Sequence, residues 1–298
     1  MTLTPNRASA LALLAAFAWG SGNVAQKTIL DHLDGFAAAG LTSLLGAVVL
    51  WPMARREWRV VQRPVAGSVA QLLAISATFT VAVTLMQFGY GMTSVTNAGF
   101  LVNTAAVLTP VLGWLAFRER PPLAIWPASL ATLLGIFLMA EARWTGFSPG
   151  DVLALLSAVS FAVWTLLVGI YVMRFRRPIL MTVVQLAVCG GACVAVGAVV
   201  NGLPSGAALM AALPEIIFMG LVSKGLAYML MAVAQQHLSA TVVAVLVSAE
   251  AVFGAMVAAV ILGETLSPLR ATGSLCILLG VIVAARIPQA LPDPAAVR

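Results

Sequence analysis

The chain has 298 residues, of which 61% are hydrophobic and only 9% are charged. Soluble domains average about 45–50% apolar and about 25% charged residues, so this composition excludes a soluble globular enzyme, a disordered chain and a fibrous protein. The formal net charge of +6 does not indicate a nucleic-acid partner, because the basic residues stand in short gaps between apolar runs. These runs are continuous rather than alternating, which also excludes a transmembrane β-barrel.

Ten apolar runs are long enough to cross a bilayer, which requires about 20 apolar residues per helix. Backbone groups find no water in lipid, so each of these runs must be helical. The predicted fold is therefore an all-α integral membrane protein with ten transmembrane helices, called spans 1 to 10. In chain order, the spans cover residues 8–29, 35–54, 66–90, 94–117, 122–140, 150–173, 179–200, 210–235, 239–262 and 267–286.

The basic residues predict the orientation, because cytoplasmic loops of membrane proteins carry an excess of arginine and lysine. With the N-terminus in the cytoplasm, 12 basic residues fall in inside segments and 3 in outside segments. Both termini are therefore predicted to be cytoplasmic. The dominance of Ala, Val, Leu and Gly indicates a GC-rich bacterial genome, so the expected location is the bacterial inner membrane. The inside residues are Arg7, Arg55, Arg56, Arg59, Arg63, Arg118, Arg120, Arg174, Arg176, Arg177, Arg286 and Arg298, and the outside residues are Lys27, Arg143 and Arg270.

The sequence repeats itself at a nearly constant offset. The start of span 1 (11–19) matches the start of span 6 (153–161) at an offset of 142. Each half has five helices, an odd number, so the second half (147–298) is predicted to enter the membrane from the side opposite to the first half (1–146). Such inverted repeats are the architecture of many transporters that work by alternating access. Two further matches, both at an offset of 145, pair 118–120 with 263–265 and 133–136 with 278–281.

Two stretches carry a resemblance to a known family. Residues 97–121, NAGFLVNTAAVLTPVLGWLAFRERP, resemble the fourth helix of the EamA branch of the drug/metabolite transporter superfamily, and 250–264, EAVFGAMVAAVILGE, are their counterpart in the second half. Trp19-Gly20-Ser21 followed by Lys27 resembles the first-helix pattern of that family. The resemblance covers the whole chain and implies a secondary transporter that exports small metabolites. Within the branch, the sequence is similar to YddG-type amino-acid exporters.

The sequence departs from the family pattern at two positions. The family often has an arginine inside the second helix, whereas residues 36–50 carry no charge. It often has a proline directly after the ninth-helix glutamate, where this chain has Ala251. Roles known for those family positions are therefore not transferred. Small multidrug pumps of the superfamily use a glutamate in the first helix, and the absence of one from span 1 argues against a cationic drug as cargo.

Lys224 in span 8 and Glu250 in span 9 are charges near helix centres. A charge at that depth costs roughly 2.5–3.5 kcal/mol on insertion scales, which makes each residue a functional-site hypothesis. A neutral amino acid is a zwitterion, so the lysine could meet its carboxylate and the glutamate its ammonium group. Glu250 could also carry a coupling proton. The structural alternative is an ion pair that joins the two helices.

Polar and aromatic residues at helical spacing mark the walls of a predicted central cavity. Serine and threonine hydroxyls could instead bond to their own helix backbone, and Gln26 and Lys27 could extend to the outer interface. Pro110 at the middle of span 4 could form a kink or gating hinge. The predicted coupling or gating residues are Glu250 and Pro110, and the predicted substrate-binding residues are Trp19, Asn23, Thr80, Thr84, Gln87, Asn103, Trp164, Lys224, Tyr228 and Glu250.

The sequence carries no signature of classical enzyme chemistry. It lacks a Walker A loop, an HExxH motif and a GxSxG elbow. We therefore expect no catalytic residue, cofactor or bound metal, and transport driven by gradients. Cys189, Cys193 and Cys276 lie inside apolar runs and are predicted to be packing residues.

The expected partners are a small-molecule substrate and membrane lipid, with a proton as the coupling ion if transport is proton-coupled, and no nucleic acid. A transporter of another cargo (a nucleotide-sugar, lipid-linked or drug-like molecule) is one alternative. A scaffold or sensor subunit that transports nothing is another. The oligomeric state is open, because Gly273 and Gly280 of span 10 could contact a partner helix or pack within one monomer.

Overall fold

The computed structural model describes residues 3–61, 67–93, 95–116, 120–141, 148–263 and 267–288. Within these residues, every regular element is helical and no strand occurs. A π-helical segment, Met219–Leu226, joins α10 to α11. The α-helices are α1 (Pro5–Ile29), α2 (Gly35–Val60), α3 (Ser68–Met92), α4 (Val95–Asn103), α5 (Ala105–Ala116), α6 (Ile125–Met139), α7 (Pro149–Phe175), α8 (Pro178–Val200), α9 (Gly206–Ala211), α10 (Leu213–Phe218), α11 (Ala227–Ala234), α12 (Ala240–Val247), α13 (Glu250–Leu262) and α14 (Pro268–Ala285).

The prediction of an all-α membrane protein with ten transmembrane helices is confirmed. Among the described residues, nine segments are long and apolar enough to cross a membrane, and α6 is a shorter apolar helix of 15 residues. α1 to α3 form spans 1 to 3, α6 to α8 form spans 5 to 7, and α14 forms span 10. Span 4 consists of α4 and α5, span 8 of α10, the π-helical segment and α11, and span 9 of α12 and α13. The orientation of the termini stays a prediction.

Prolines account for two differences from the predicted boundaries. Span 5 begins at Ile125 rather than at residue 122, because Pro121 and Pro122 precede it and proline lacks the N–H that a helix interior requires. Span 8 was predicted from residue 210, but α9 ends at Ala211 and a separate helix begins at Leu213. Pro214 lies at the start of that second helix, where a missing N–H is tolerated.

Side chains satisfy the free backbone N–H groups where several helices begin. The Asp34 carboxylate accepts hydrogen bonds from the N–H groups of Phe36 at 2.9 Å and Ala37 at 3.2 Å, at the start of α2. Ser148 and Asp151 form a reciprocal capping box at the start of α7. These caps fix the points at which the chain enters the membrane, because the first N–H groups of a helix have no partner within it.

The helices of the first half pack against those of the second half. α2 packs along α8, α3 along α7, and α6 along α14. α1 contacts α13, α11 and the π-helical segment between α10 and α11. These contacts place spans 1, 8 and 9 side by side, together with the charged residues predicted to be functional.

Glycines allow α6 and α14 to approach each other closely. A Cβ atom on Gly135 would lie 2.5 Å from the carbonyl oxygen of Gly273, and one on Gly280 would lie 2.6 Å from that of Ala128. Gly135 and Gly280 are 145 positions apart, as are Ala128 and Gly273, so the contact occurs twice at the offset of the sequence repeat. Gly273 and Gly280 thus pack within the monomer, against span 5.

At the end of the bundle predicted to face the cytoplasm, Glu57 joins α2 to α8. Its carboxylate accepts hydrogen bonds from the backbone N–H groups of Leu180 at 2.7 Å and Ile179 at 3.3 Å. Arg177 donates in return to the carbonyl oxygen of Val61 at 2.7 Å. A side chain of α2 thus pairs with the free N–H groups at the start of α8, and a side chain at the start of α8 pairs with a carbonyl oxygen at the end of α2.

The α6–α14 contact predicts that Gly135→Ala destabilises the protein. The added methyl group would meet backbone atoms, and overpacking of this kind costs about 1–3 kcal/mol of unfolding free energy. The matched control is Gly191→Ala in α8, where a Cβ atom meets nothing within 4 Å. Thermal melting of purified protein in detergent should show a lower Tm for Gly135→Ala and no decrease for the control. A Gly135→Ala protein that melts at or above the wild-type temperature would contradict the prediction.

Candidate functional site

Spans 4 and 9 are interrupted near mid-membrane, although the sequence predicted continuous helices. The interruptions lie at Thr104 and at Ser248–Ala249. The Thr104 hydroxyl donates to the carbonyl oxygen of Leu101, and the Ser248 hydroxyl to that of Val245, each at 2.6 Å. A hydroxyl that competes for a helix carbonyl in this way destabilises α-helical pairing. The backbone N–H groups of the same two residues bond three residues back, at 3.1 and 3.3 Å.

The two interruptions correspond to each other in the repeat, since positions 104 and 249 are 145 apart. Helices broken at equivalent points of two halves mark the binding site in many secondary transporters. The second segment of span 9, α13, begins with Glu250. The positive end of the α13 dipole favours a carboxylate at that position.

Lys224 lies within the π-helical segment. π-helical turns are rare and occur frequently at functional sites. The lysine side chain is 7% exposed, and its Nζ lies 5.7 Å from the centroid of the Tyr228 ring. This distance is within the range of a cation–π interaction, which partly replaces the hydration that the ammonium group has lost.

One turn of α1 lies between the π-helical segment and α13. A Cβ atom on Gly20 would lie 2.7 Å from the carbonyl oxygen of Glu250, so α1 and α13 meet almost backbone to backbone. Ser223, next to Lys224, donates to the carbonyl oxygen of Ala18 at 3.3 Å. The two charged residues therefore flank the same turn of α1, from two neighbouring helices.

Aromatic rings from α1, α3 and α7 pack around the Tyr228 ring of α11. Their centroids lie 4.9 Å (Trp19), 5.1 Å (Phe79) and 5.6 Å (Trp164) from that of Tyr228, in the edge-to-face geometry that aromatic pairs prefer. The group, which we call the aromatic cluster, joins both halves of the chain. The Trp19 indole N–H is buried and has no hydrogen-bond partner in the part of the chain that the structure describes.

Two thiols of α8 lie near the lysine, and small hydroxyl side chains of α2 and α3 lie near those thiols. The thiols of α8 lie close enough to the Lys224 ammonium group to interact with it electrostatically. Hydroxyl groups of α2 and α3 lie next to those thiols. The thiols are those of Cys189 and Cys193, and the hydroxyl groups are those of Thr80 and Thr84 of α3 and Ser43 of α2.

Lys224 and Glu250 interact at long range but are not ion-paired. Each charge affects the other electrostatically, yet no N–O distance of 4.0 Å or less joins them among the described residues. The Asn23 side chain interacts with the Glu250 carboxylate. The structure therefore does not contain the direct helix-joining ion pair that the sequence left open as an alternative.

Eight of the predicted site residues lie in or next to this central group. Thr80 also donates its hydroxyl to the carbonyl oxygen of Ser76 at 2.8 Å, the backbone bond expected as the alternative for such residues. The eight residues are Trp19, Asn23, Thr80, Thr84, Trp164, Lys224, Tyr228 and Glu250.

The other predicted residues lie elsewhere. Gln87 donates to the carbonyl oxygen of Gly35 at 2.8 Å, so its long side chain joins α3 to the start of α2. The Asn103 amide bonds to the Gly99 carbonyl oxygen of its own helix at 2.9 Å, beside the interruption of span 4. Pro110 is buried inside α5, and the interruption does not lie at the proline. Four further side chains in the predicted spans and turns lie outside the part of the chain that the structure describes: Lys27, Arg118, Glu119 and Glu264.

Two participants were missed by sequence reasoning. Gln185 is fully buried, and its Oε1 accepts a hydrogen bond from the Trp164 indole N–H at 2.8 Å. It is the sole amide side chain in the run 179–200, which was an available signal. Phe79 has no polar group to mark it, but it stands 145 positions before Lys224 and is thus its repeat mate.

Ten membrane-crossing helices, two of them interrupted at corresponding positions and one of these directly before Glu250, form the architecture of a membrane transporter. The model of the EamA-like transporter family matches the chain twice, over residues 6–140 and 148–286. The chain therefore belongs to the EamA-like transporter family, within the superfamily that the sequence resemblance indicated.

Known relatives agree with this assignment. The chain is 25% identical over 272 residues to a protein of Archaeoglobus fulgidus named as an uncharacterized transporter, covering 91% of this chain and 83% of that protein. A protein of Methanothermobacter thermautotrophicus with the same name is 25% identical over 218 residues, covering 71% of this chain and 63% of that protein. A crystal structure with 17% identity superposes with a TM-score of 0.78 over 93% of this chain and 96% of its own, which shows a shared fold.

The Trp164–Gln185 hydrogen bond predicts a measurable coupling between the two residues. Gln185→Leu leaves the indole N–H buried without an acceptor, which costs about 1–3 kcal/mol of unfolding free energy. In a double-mutant cycle with Trp164→Phe, the two changes should be less than additive by about 1 kcal/mol, measured by chemical denaturation in detergent. Strict additivity would show that the bond does not contribute to stability.

Proposed function

We propose that this transporter carries amino acids or similar small metabolites across the bacterial inner membrane and exports them by alternating access. In this mechanism, the two halves, residues 1–146 and 147–298, rock against each other around one site. The site is the central group that contains Lys224, Glu250 and the aromatic cluster. The interruption of span 9 directly before Glu250 and the corresponding interruption of span 4 support the proposal, because the two segments of an interrupted helix can move separately.

The observation that carries the choice of cargo is the separation of the two charges, of which Lys224 is buried and Glu250 partly buried. Lys224 and Glu250 flank one turn of α1 without forming an ion pair with each other. A zwitterionic amino acid supplies the missing partners, with its carboxylate toward the lysine and its ammonium group toward the glutamate. A buried charge is costly without a partner, so a ligand that carries both complementary charges is strongly favoured over an apolar or singly charged one.

The aromatic cluster provides the remainder of such a site. Its rings provide apolar surroundings for the uncharged part of the cargo. They also keep water away from Lys224 and Glu250, which strengthens the interaction of these two charges with the ligand. The unpaired N–H of Trp19 adds a donor that can bind a carboxylate oxygen. A pH gradient can drive this transport, with Glu250 as the residue that carries the proton.

Proton coupling would follow if Glu250 releases its proton when substrate binds and regains it on the other side of the membrane. An ionisable carboxyl group within a membrane-spanning segment is a common proton carrier in transporters. Asn23 is positioned to hold the carboxylate during that exchange.

Uptake of labelled amino acids by purified protein in liposomes tests the proposal. We expect saturable uptake of some members of the panel and a reduction of about 10- to 100-fold in Lys224→Met, because a charged hydrogen bond contributes about 1.5–3 kcal/mol. The matched controls are Arg286→Gln and Asp31→Asn, which remove one charge each from exposed positions and should transport normally. Absence of uptake for the whole panel, or wild-type uptake by Lys224→Met, would contradict the proposed cargo site.

Glu250→Gln separates binding from coupling. If Glu250 carries the proton, this variant should still exchange internal for external substrate but should lose accumulation driven by a pH gradient. If it contributes only to binding, exchange and accumulation should fall together. Wild-type accumulation with unchanged dependence on the pH gradient would exclude proton coupling through this residue.

A further inference from the structure

A groove at the predicted cytoplasmic end of α2 is separate from the central group. Its volume is about 280 Å³, and α2 and α8 both contribute to its walls. None of the central residues lines it. The lining residues are Trp51, Ala54, Arg55, Trp58 and Leu180.

Three of the lining residues form one continuous face of α2. Trp51, Arg55 and Trp58 follow one another at intervals of four and three positions, so their side chains stack along the same side of the helix. The two tryptophans are exposed to 54% and 48% respectively, although they are among the largest apolar side chains. A pair of exposed tryptophans separated by an arginine is the composition expected where a helix leaves the hydrocarbon and enters the headgroup layer.

The surroundings of the groove are strongly basic. Arg55, Arg56 and Arg59 are all exposed on the last turns of α2. The carboxylate of Glu57, on the same part of α2, accepts hydrogen bonds from the first turn of α8. Arg177, whose guanidinium lies 4.6 Å from the centroid of the Trp58 ring, adds a further positive charge at the edge of the groove.

We propose that this groove binds an anionic phospholipid of the cytoplasmic leaflet. Arg55 and Arg59, one helical turn apart, bind the phosphate, for which the planar guanidinium group is well suited. The first part of an acyl chain lies between Trp51 and Leu180, deeper in the membrane. Positive charge alone is a general property of cytoplasmic ends, but here the charge borders an open apolar groove between two helices, the arrangement in which anionic headgroups are bound.

The walls of the groove belong to both halves of the chain. Leu180 is contributed by α8 and the other lining residues by α2. The Glu57 and Arg177 hydrogen bonds described above join the same two helices directly beside it. A bound lipid therefore contacts both halves at the end where Glu57 and Arg177 connect them.

Native mass spectrometry of the purified protein with added phosphatidylglycerol or phosphatidylcholine tests the proposal. We expect the wild type to bind at least one phosphatidylglycerol more tightly than phosphatidylcholine. One positive charge at the membrane surface is worth about 1 kcal/mol, so Arg55→Gln should weaken phosphatidylglycerol binding about fivefold, and Arg55→Gln with Arg59→Gln about 30-fold. Trp58→Leu, which keeps every charge but removes a wall of the groove, should also weaken it.

The control is Arg7→Gln, an exposed arginine at the same predicted end of the bundle but on α1. It should bind phosphatidylglycerol as the wild type does. An equal loss in Arg7→Gln, or unchanged binding in Trp58→Leu, would show general attraction to a basic surface and overturn the proposal. Unchanged binding in the double arginine variant would overturn it as well. Thermal melting of each variant without added lipid identifies any variant that is misfolded, and Arg55→Lys then replaces Arg55→Gln, with a smaller loss expected because the charge remains.

Discussion

Water is absent from the hydrocarbon layer, so every backbone N–H and carbonyl group must find its partner inside the protein. This requirement produces ten nearly continuous helices from a sequence with few charges. It also explains why departures from α-helical pairing are informative. The interruptions at Thr104 and Ser248–Ala249 and the π-helical segment Met219–Leu226 all lie well within spans. At the two interruptions the Thr104 and Ser248 hydroxyl groups donate to backbone carbonyl oxygens. Lys224 and Glu250 stand beside two of the three departures.

The two halves have similar helices, but the two charges of the central group lie in one half only. At an offset of 145, Lys224 corresponds to Phe79 and Glu250 to Ala105. Both charges therefore belong to the second half, whereas the first half contributes aromatic and small polar side chains to the same place. The backbone interruptions at Thr104 and Ser248–Ala249 follow the offset of 145, whereas the two charges do not.

Sequence reasoning identified the fold because each membrane span shows itself within its own stretch of sequence. An apolar run of sufficient length must be helical in lipid, whatever the other runs do. It placed Lys224 and Glu250 correctly within spans because a buried charge is conspicuous in an apolar run. It did not predict the hydrogen bond from Gln87 to Gly35, because that contact depends on how two helices approach each other at their ends. It missed Phe79 because an aromatic residue in an apolar run does not indicate which side chains it contacts. It missed the interruption at Thr104 because a hydroxyl that breaks a helix and one that is merely tolerated look identical in sequence. Pro110, the obvious candidate, is accommodated within α5.

The glycine contact between α6 and α14 has a mechanical consequence. The repeat offset of 145 relates the contact of Gly135 with Gly273 to that of Gly280 with Ala128. The axis that relates the two halves therefore passes between α6 and α14. α2 and α8 are also repeat mates in contact, so the same axis passes through them at another point. The close approach of span 5 and span 10 is therefore equally sensitive at both crossings. A side chain added at Gly135 or at Gly280 would meet backbone atoms of the facing helix and force the two helices apart.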